Sequence, residues 1–246
     1  MRQDLVLAAV LAPVAGSFLS TLVTRAPDLR SALVGRSRCD ACGATPGAVD
    51  LVPILGWVAL RGRCRQCGAR IDPAHPAMEF GCLALALWAG TVFSGPALGL
   101  ACLFGWLLLT LGLIDLRTGL LPDPLVLALA AGGIGQAILV PDSLGDRLAG
   151  AALGGGTLAL VAFAYARLRG REGLGQGDVK LVAALGLWVG LEGLPATILG
   201  ASLAGLAIAG VRALAGRAPG RDEEMPFGPC LAAAGWLAFL YAAGTP

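Results

Sequence analysis

The sequence predicts an all-α polytopic membrane protein of about eight transmembrane helices, with a small cytoplasmic zinc-ribbon-like module of four cysteines between the first and the second. Three observations predict it. Of the 246 residues, 57% are hydrophobic and 14% charged, and the mean hydropathy of +0.77 lies far outside that of water-soluble domains. The apolar residues gather into charge-free blocks, several near the ~20 residues that carry a helix across ~30 Å of hydrocarbon. The basic residues then fall in alternate connections between those blocks.

The blocks cover residues 5–24, 80–95, 97–114, 124–140, 148–166, 181–191, 193–211 and 226–246. They are rich in Gly, Ala and Leu and lack period-two alternation, which favours helices over barrel strands, and the small residues let helices pack closely. Arg2 before the first block would also suit a cleaved signal peptide. Against that, the block is long for a signal sequence, Asp4 spoils the basic end, and the basic chain beyond Arg25 opposes export.

Orientation follows from the connections. If residues 26–77 are cytoplasmic, alternation puts 115–123, 167–180 and 212–224 on the same side. Those segments and their boundaries hold every one of the 18 Lys and Arg residues except Arg2 and Arg147. The positive-inside rule therefore supports this topology. The net charge of +2 reports orientation and makes no case for nucleic acid.

The long connection, residues 26–77, carries four of the seven cysteines as two matched knuckles, Cys39-Asp40-Ala41-Cys42-Gly43 and Cys64-Arg65-Gln66-Cys67-Gly68, with 21 residues between the inner cysteines. Four thiolates so spaced close a tetrahedral zinc site, and the glycines permit turns that aim amides at sulfur. Two disulfides, or a redox pair, are the alternatives. A reducing cytoplasm and the duplicated spacing favour metal, in a structural role, because four protein thiolates leave no position for water. Cys82, Cys102 and Cys230 lie in apolar blocks and read as small buried hydrophobes. His75, the sole histidine, precedes the second block and reads as a surface or capping residue.

Acidic residues are scarce, so those abutting blocks carry information. Asp115 ends the third block in Asp115-Leu116-Arg117-Thr118-Gly119-Leu120-Leu121-Pro122-Asp123, and Asp178 follows Gly175-Gln176-Gly177 at the opening of the sixth. The topology places both at one membrane face. Two carboxylates around a water can hydrolyse a peptide: one takes the proton of water while the other, protonated, polarises the carbonyl. Position alone also allows a plainer reading, with Asp178 as an N-cap, Asp115 as a helix-end acid near Arg117 and Asp123 as a turn residue.

These motifs resemble the bacterial prepilin peptidases, or type IV leader peptidases, membrane aspartyl proteases of the G-x-G-D type. The similarity runs along nearly the whole chain: Gly16-Ser17-Phe18-Leu19 with Arg25 and Pro27; Arg36-Ser37-Arg38-Cys39 through the second knuckle to Ile71, with Ile54 and Trp57 between; Pro76 with Glu79; and Pro226-Phe227-Gly228-Pro229. The resemblance implies that Asp115 and Asp178 are the catalytic pair and that Asp123, which closes the first motif, is structural. It implies cleavage of a basic leader from type IV prepilins or type II secretion pseudopilins at the cytoplasmic face of the bacterial inner membrane, then N-methylation of the new terminus with S-adenosylmethionine. Membrane lipids are the other expected partners. Cys39, Cys42, Cys64 and Cys67 would hold zinc.

The sequence locates no methyl-donor pocket; Glu79, Arg70 and Gly16 are the candidates for it, better read as packing or capping residues. Gly47-Ala48-Val49-Asp50 and Arg25-Ala26-Pro27-Asp28 depart from the family's usual pattern, which bears on substrate choice. The expected organisation is a first transmembrane helix (1–25), the cysteine module (26–77) and a multi-span peptidase domain (78–246). Competing readings are a peptidase without methyltransferase activity, a cation-coupled transporter, and a membrane scaffold. The transporter reading is weakened because the acids sit at helix ends, not near the midplane between broken helices.

Overall fold

A computed structural model describes residues 2–35, 37–139, 143–170, 173, 175–216 and 225–244. Arg36, Arg171, Arg217 and Arg221, counted above among the cytoplasmic basic residues, lie outside the described residues. The fold is all-helical: α1 (Gln3–Arg25), α2 (Leu29–Leu33), α3 (Leu55–Ala59), α4 (Ala74–Val92), α5 (Pro96–Thr118), α6 (Asp123–Leu139), α7 (Leu144–Arg169), α8 (Gln176–Leu214) and α9 (Gly228–Gly244). Among the described residues no strand forms beyond one antiparallel bridge, Arg63 to Arg70.

Four helices are long and apolar enough to cross a membrane: α1, α5, α7 and α8. The difference from the eight expected blocks has identifiable reasons. α6 and α9 are apolar but only 17 residues long, at the lower limit of the roughly 17–25 residues that span a bilayer. α4 opens on the polar residues His75 and Glu79. The sixth and seventh blocks are both carried by α8, a 39-residue run interrupted at Gly190.

The chain forms two compact units, Met1–Thr110 and Leu111–Pro246. In the first, α1 packs on α4. Gly16 makes that crossing close: a methyl there would stand 2.7 Å from the Cα of Glu79. One turn along, the buried Ser20 hydroxyl meets Nδ1 of His75 at 2.6 Å, so His75 joins two helices instead of capping one at the surface. Glu79 is itself buried and accepts the Ile54 N–H at 2.6 Å. Gly16 thus lies in a helix crossing, and Glu79 holds the amide that precedes α3.

In the second unit α8 packs on α6, α7 and α9, and it is not one rod. A methyl built on Gly154 of α7 would meet both Val182 and Leu194. On a straight helix those two residues stand about 18 Å apart, so the chain doubles back between them. α9 reports the same reversal, since Gly235 lies against Leu185 while its neighbour Ala234 lies against Gly200. The turn is at Gly190, whose φ of 70° and ψ of −176° belong to a region open essentially to glycine.

Breaking a helix frees carbonyls on one side and amides on the other. Two adjacent residues of α7 satisfy both. Arg147 donates from Nη1 to the carbonyl oxygens of Leu187 (3.1 Å) and Trp188 (2.7 Å) and to Oε1 of Gln136 (3.1 Å). The Asp146 carboxylate accepts the Leu191 N–H at 3.2 Å. Arg147, one of two cations outside the predicted cytoplasmic segments, thus clamps the reversal.

Candidate active site and metal-binding cluster

Asp115 occupies the last turn of α5. That helix stops because Gly119 adopts φ +65° and returns its N–H to the Asp115 carbonyl at 2.8 Å, a left-handed ending that glycine accepts without penalty. Thr118 reinforces the stop, its hydroxyl donating to the Ile114 carbonyl at 2.9 Å. The Asp115 side chain is turned inward and 5% exposed. Its Oδ2 accepts the backbone N–H of Gly228 at 2.9 Å. Gly228 opens α9, so the carboxylate sits at a helix N-terminus, where unpaired amides and the helix dipole favour negative charge.

Asp178 lies in the first turn of α8, after Gly175, an N-cap of extended backbone (φ −62°, ψ 136°). The two glycines of Gly175-Gln176-Gly177-Asp178 have separate jobs. A methyl on Gly175 would come within 3.2 Å of Asp178 Oδ2, so that glycine leaves room for the carboxylate. A methyl on Gly177 would stand 3.0 Å from the Leu121 Cβ, so this one admits the segment between Asp115 and Asp123. Asp178 is half-buried, and burial is the first influence on its carboxyl, the charge of Asp115 the second. The two predicted residues are therefore electrostatic neighbours.

Asp123 is placed differently. It is the exposed first residue of α6, and its Oδ1 pairs with Nζ of Lys180 at 2.7 Å. It ties the first aspartate motif to the helix that carries the second. Behind this pair, Val126, Leu127, Ala130, Ala151, Ala183 and Leu187 line an apolar cavity of about 380 Å³.

Sequence reasoning missed the role of Gly228. A methyl there would stand 2.7 Å from Asp115 Oδ2, so the position requires glycine for close approach. The only signal was a small residue between Phe227 and Pro229 at the start of an apolar block.

In the cysteine module the two knuckles have one hydrogen-bond pattern. The Cys39 N–H donates to Ala44 and the Cys64 N–H to Ala69, at 2.9 and 2.8 Å, while the N–H groups of Gly43 and Gly68 return to Cys39 and Cys64 at 2.8 and 2.9 Å. Gly43 and Gly68 have φ of +71° and +72°. All four thiols are free, and their sulfurs lie within 4.8 Å of one another, Cys39 and Cys67 at 3.8 Å. Sulfurs 2.3 Å from a tetrahedral metal stand about 3.8 Å apart, whereas a disulfide needs about 2.05 Å.

Electrostatics in the cluster agrees. The backbone amides of Cys67 and Gln66 pull the Cys64 thiol down to about 7. The Ala69 amide pulls on Cys67 too, but the neighbouring thiol of Cys42, burial, and the thiols of Cys64 and Cys39 together push it up to about 11. Four thiolates in this space need a cation. These residues fit a metal ion.

Residues 10–93 match the family described as Bacterial Peptidase A24 N-terminal domain, and residues 102–210 the Type IV leader peptidase family. Similar proteins bear the name prepilin leader peptidase/N-methyltransferase, among them the following three. The one from Aeromonas salmonicida (strain A449) is 41% identical over 213 residues, covering 85% of this chain and 72% of its own. That from Burkholderia pseudomallei (strain 1026b) is 37% identical over 272 residues, covering 99% and 87%. That from Pseudomonas putida is 37% identical over 259 residues, covering 96% and 90%. No solved structure gives a significant match.

Proposed function

The chain belongs to the type IV leader peptidase family, and from that premise we propose that it removes the basic leader of type IV prepilins or type II secretion pseudopilins and then N-methylates the new terminus. The observation that carries the catalytic assignment is the neighbouring position of Asp115 and Asp178, each made possible by a glycine.

Two close carboxylates share one proton. The ionised member takes a proton from water as the water oxygen attacks the scissile carbonyl carbon, and the protonated member passes its proton to the carbonyl oxygen. The tetrahedral diol collapses as one carboxyl protonates the leaving nitrogen and the other takes a proton from the diol. The C–N bond breaks, an acid and a free amine result, and the pair again holds one proton. Assigning acid and base to individual residues has no meaning across the cycle, because they exchange.

The freed amine is the methyl acceptor. When bound, S-adenosylmethionine supplies an electrophilic methyl group, and no residues of this chain are assigned to it. Cys39, Cys42, Cys64 and Cys67 would hold zinc in a structural role, since four thiolates close its coordination.

The proposed topology keeps eight crossings of the inner membrane, with 1–25 as the first, 26–77 as the cytoplasmic module and 78–246 as the multi-span domain. The reversal of α8 at Gly190 supports counting its halves as separate crossings. Both aspartates then lie at the cytoplasmic face, where a substrate with a basic leader in water and an apolar helix in lipid presents its scissile bond.

The test is reconstitution of the purified chain in proteoliposomes with a type IV prepilin, with and without S-adenosylmethionine, and mass spectrometry of the product. Loss of the leader in both, with one added methyl group only when the donor is present, is the expected result. An uncut prepilin would sink the protease reading; a cut and never methylated product would reduce it to a peptidase alone.

A further inference from the structure

Between the two cysteine knuckles runs Leu51-Val52-Pro53-Ile54-Leu55-Gly56-Trp57-Val58-Ala59-Leu60, ten residues without a charge inside a module that is otherwise polar and basic. A run of this length is too short to span a bilayer and has the length of a buried or interfacial segment. It is not buried within its unit: Leu55 is 67% exposed and Val58 54%, and Leu51 and Val52 are exposed with them.

The depth of the segment is fixed by one hydrogen bond. The Ile54 N–H donates to Oε2 of Glu79 at 2.6 Å, and the Cα of Glu79 is packed against Gly16 of α1. Gly16 lies nine residues inside the Arg25 end of α1, about 14 Å along the helix at 1.5 Å per residue. α1 is long and apolar enough to cross a membrane, and its own surface exposes Leu7, Val10, Val14 and Phe18. The apolar segment is thus drawn back alongside the span, not held out in water.

Its backbone is shaped for that position. Ile54 has φ 64° and ψ −55°, and the Leu55 N–H returns to the Pro53 carbonyl at 2.6 Å, a three-residue γ-turn of the rare positive-φ kind. Glu79 holds the residue at its centre. Charge is sorted around it as well. Asp50, the acid before the run, is neutralised by Arg65 at 2.6 Å, so the exposed Arg61 and Arg63, the latter donating to the Gly68 carbonyl, give the far end of the run a basic flank.

We propose that residues 51–60 form an interfacial anchor that inserts Leu51, Val52, Leu55 and Val58 among lipid, so that the cysteine module lies on the membrane surface with its arginines toward anionic headgroups. The anchor rests on α1 as a membrane span and is independent of the protease chemistry.

The test places the photoreactive residue benzoylphenylalanine singly at Leu55, Val58, Leu7 or Gln66 of the full chain, in nanodiscs of phosphatidylethanolamine and phosphatidylglycerol. After irradiation, intact mass spectrometry identifies what each position captured. Lipid adducts at Leu55 and Val58 at a yield comparable to Leu7 on α1, with none at the exposed knuckle residue Gln66, are expected. Lipid at Leu7 but none at Leu55 and Val58 overturns the anchor while leaving the span intact. Capture of a second copy of the chain, or of added prepilin, in place of lipid overturns it too. Absence of lipid at Leu7 removes the span and the anchor together. Prepilin cleavage by the same labelled chains reads the protease separately.

Discussion

The N–H of Gly228 donates to Oδ2 of Asp115 across 2.9 Å, joining the first residue of α9 to the last turn of α5. The bond needs a residue with no Cβ, because a methyl at Gly228 would stand 2.7 Å from the same oxygen. Gly228→Ala must therefore push α9 or the carboxylate away. Displacements near 1 Å cost about 100-fold in rate. We expect a loss of that order in prepilin cleavage, with the purified variant remaining helical by circular dichroism; unchanged cleavage would show that this contact does not set the catalytic geometry.

Asp115→Asn and Asp178→Asn keep shape and remove the ability to take or give a carboxyl proton. Each should lower cleavage by about 100-fold to 10,000-fold, the range general acid–base groups supply. Asp123→Asn should cut almost normally, since its pair with Lys180 is exposed at both ends and such pairs contribute about 1 kcal/mol or less. Initial rates in proteoliposomes separate the three. Wild-type cleavage by Asp115→Asn or Asp178→Asn would refute the assigned pair.

What made Asp115, Asp178 and the four cysteines legible is that their signals are local. A carboxylate against a charge-free run, glycines three and one residues before an acid, and paired thiols with a glycine behind them are all visible within ten positions of the chain. Gly228 was opaque because its reason for being glycine lies on another helix. The turn in α8 was nearly legible, since the apolar blocks part at Glu192, two positions past Gly190. Its clamp was not, because Asp146 and Arg147 act through backbone groups some forty positions later. Span count was the least legible feature, because hydropathy is a poor guide to helix length, as in the 17-residue α6 and α9.

The cysteine cluster predicts one tightly held metal ion per chain. Cys64→Ser should lower that stoichiometry, measured by elemental analysis of the purified chain, and lower its thermal stability as strong chelation does in the wild type. A chain that binds no metal, or that holds it equally well without Cys64, would count against a four-thiolate site.

Arg147→Ala strips hydrogen bonds from the Leu187 and Trp188 carbonyls at the reversal of α8. Unsatisfied groups of this kind cost about 1–3 kcal/mol each. The variant should unfold at lower temperature in detergent. Arg147→Lys should recover only part of the loss, because a single ammonium cannot serve the oxygens met by Nη1 and also reach the Ser143 hydroxyl, 3.2 Å from Nε. Equal melting of all three proteins would mean that Gly190 holds the turn unaided.

Asp50 gives the pH test. The Arg65 guanidinium hydrogen-bonds its carboxylate and, against the opposing effect of burial and with help from the Gly47 amide, holds it below its ordinary value of 3.8. A depressed carboxylate stabilises the folded module wherever the unfolded chain would already be ionised, and that stabilisation disappears as pH falls through the lowered value. Arg65→Ala abolishes the depression, so amide hydrogen exchange across residues 47–58 should be faster in the variant at neutral pH. The difference should persist down to about pH 5 and shrink below ~4 as Asp50 protonates in both proteins. A difference that grew on acidification would carry the wrong sign for a depressed carboxylate and would reject the Asp50–Arg65 pair as a support of the segment.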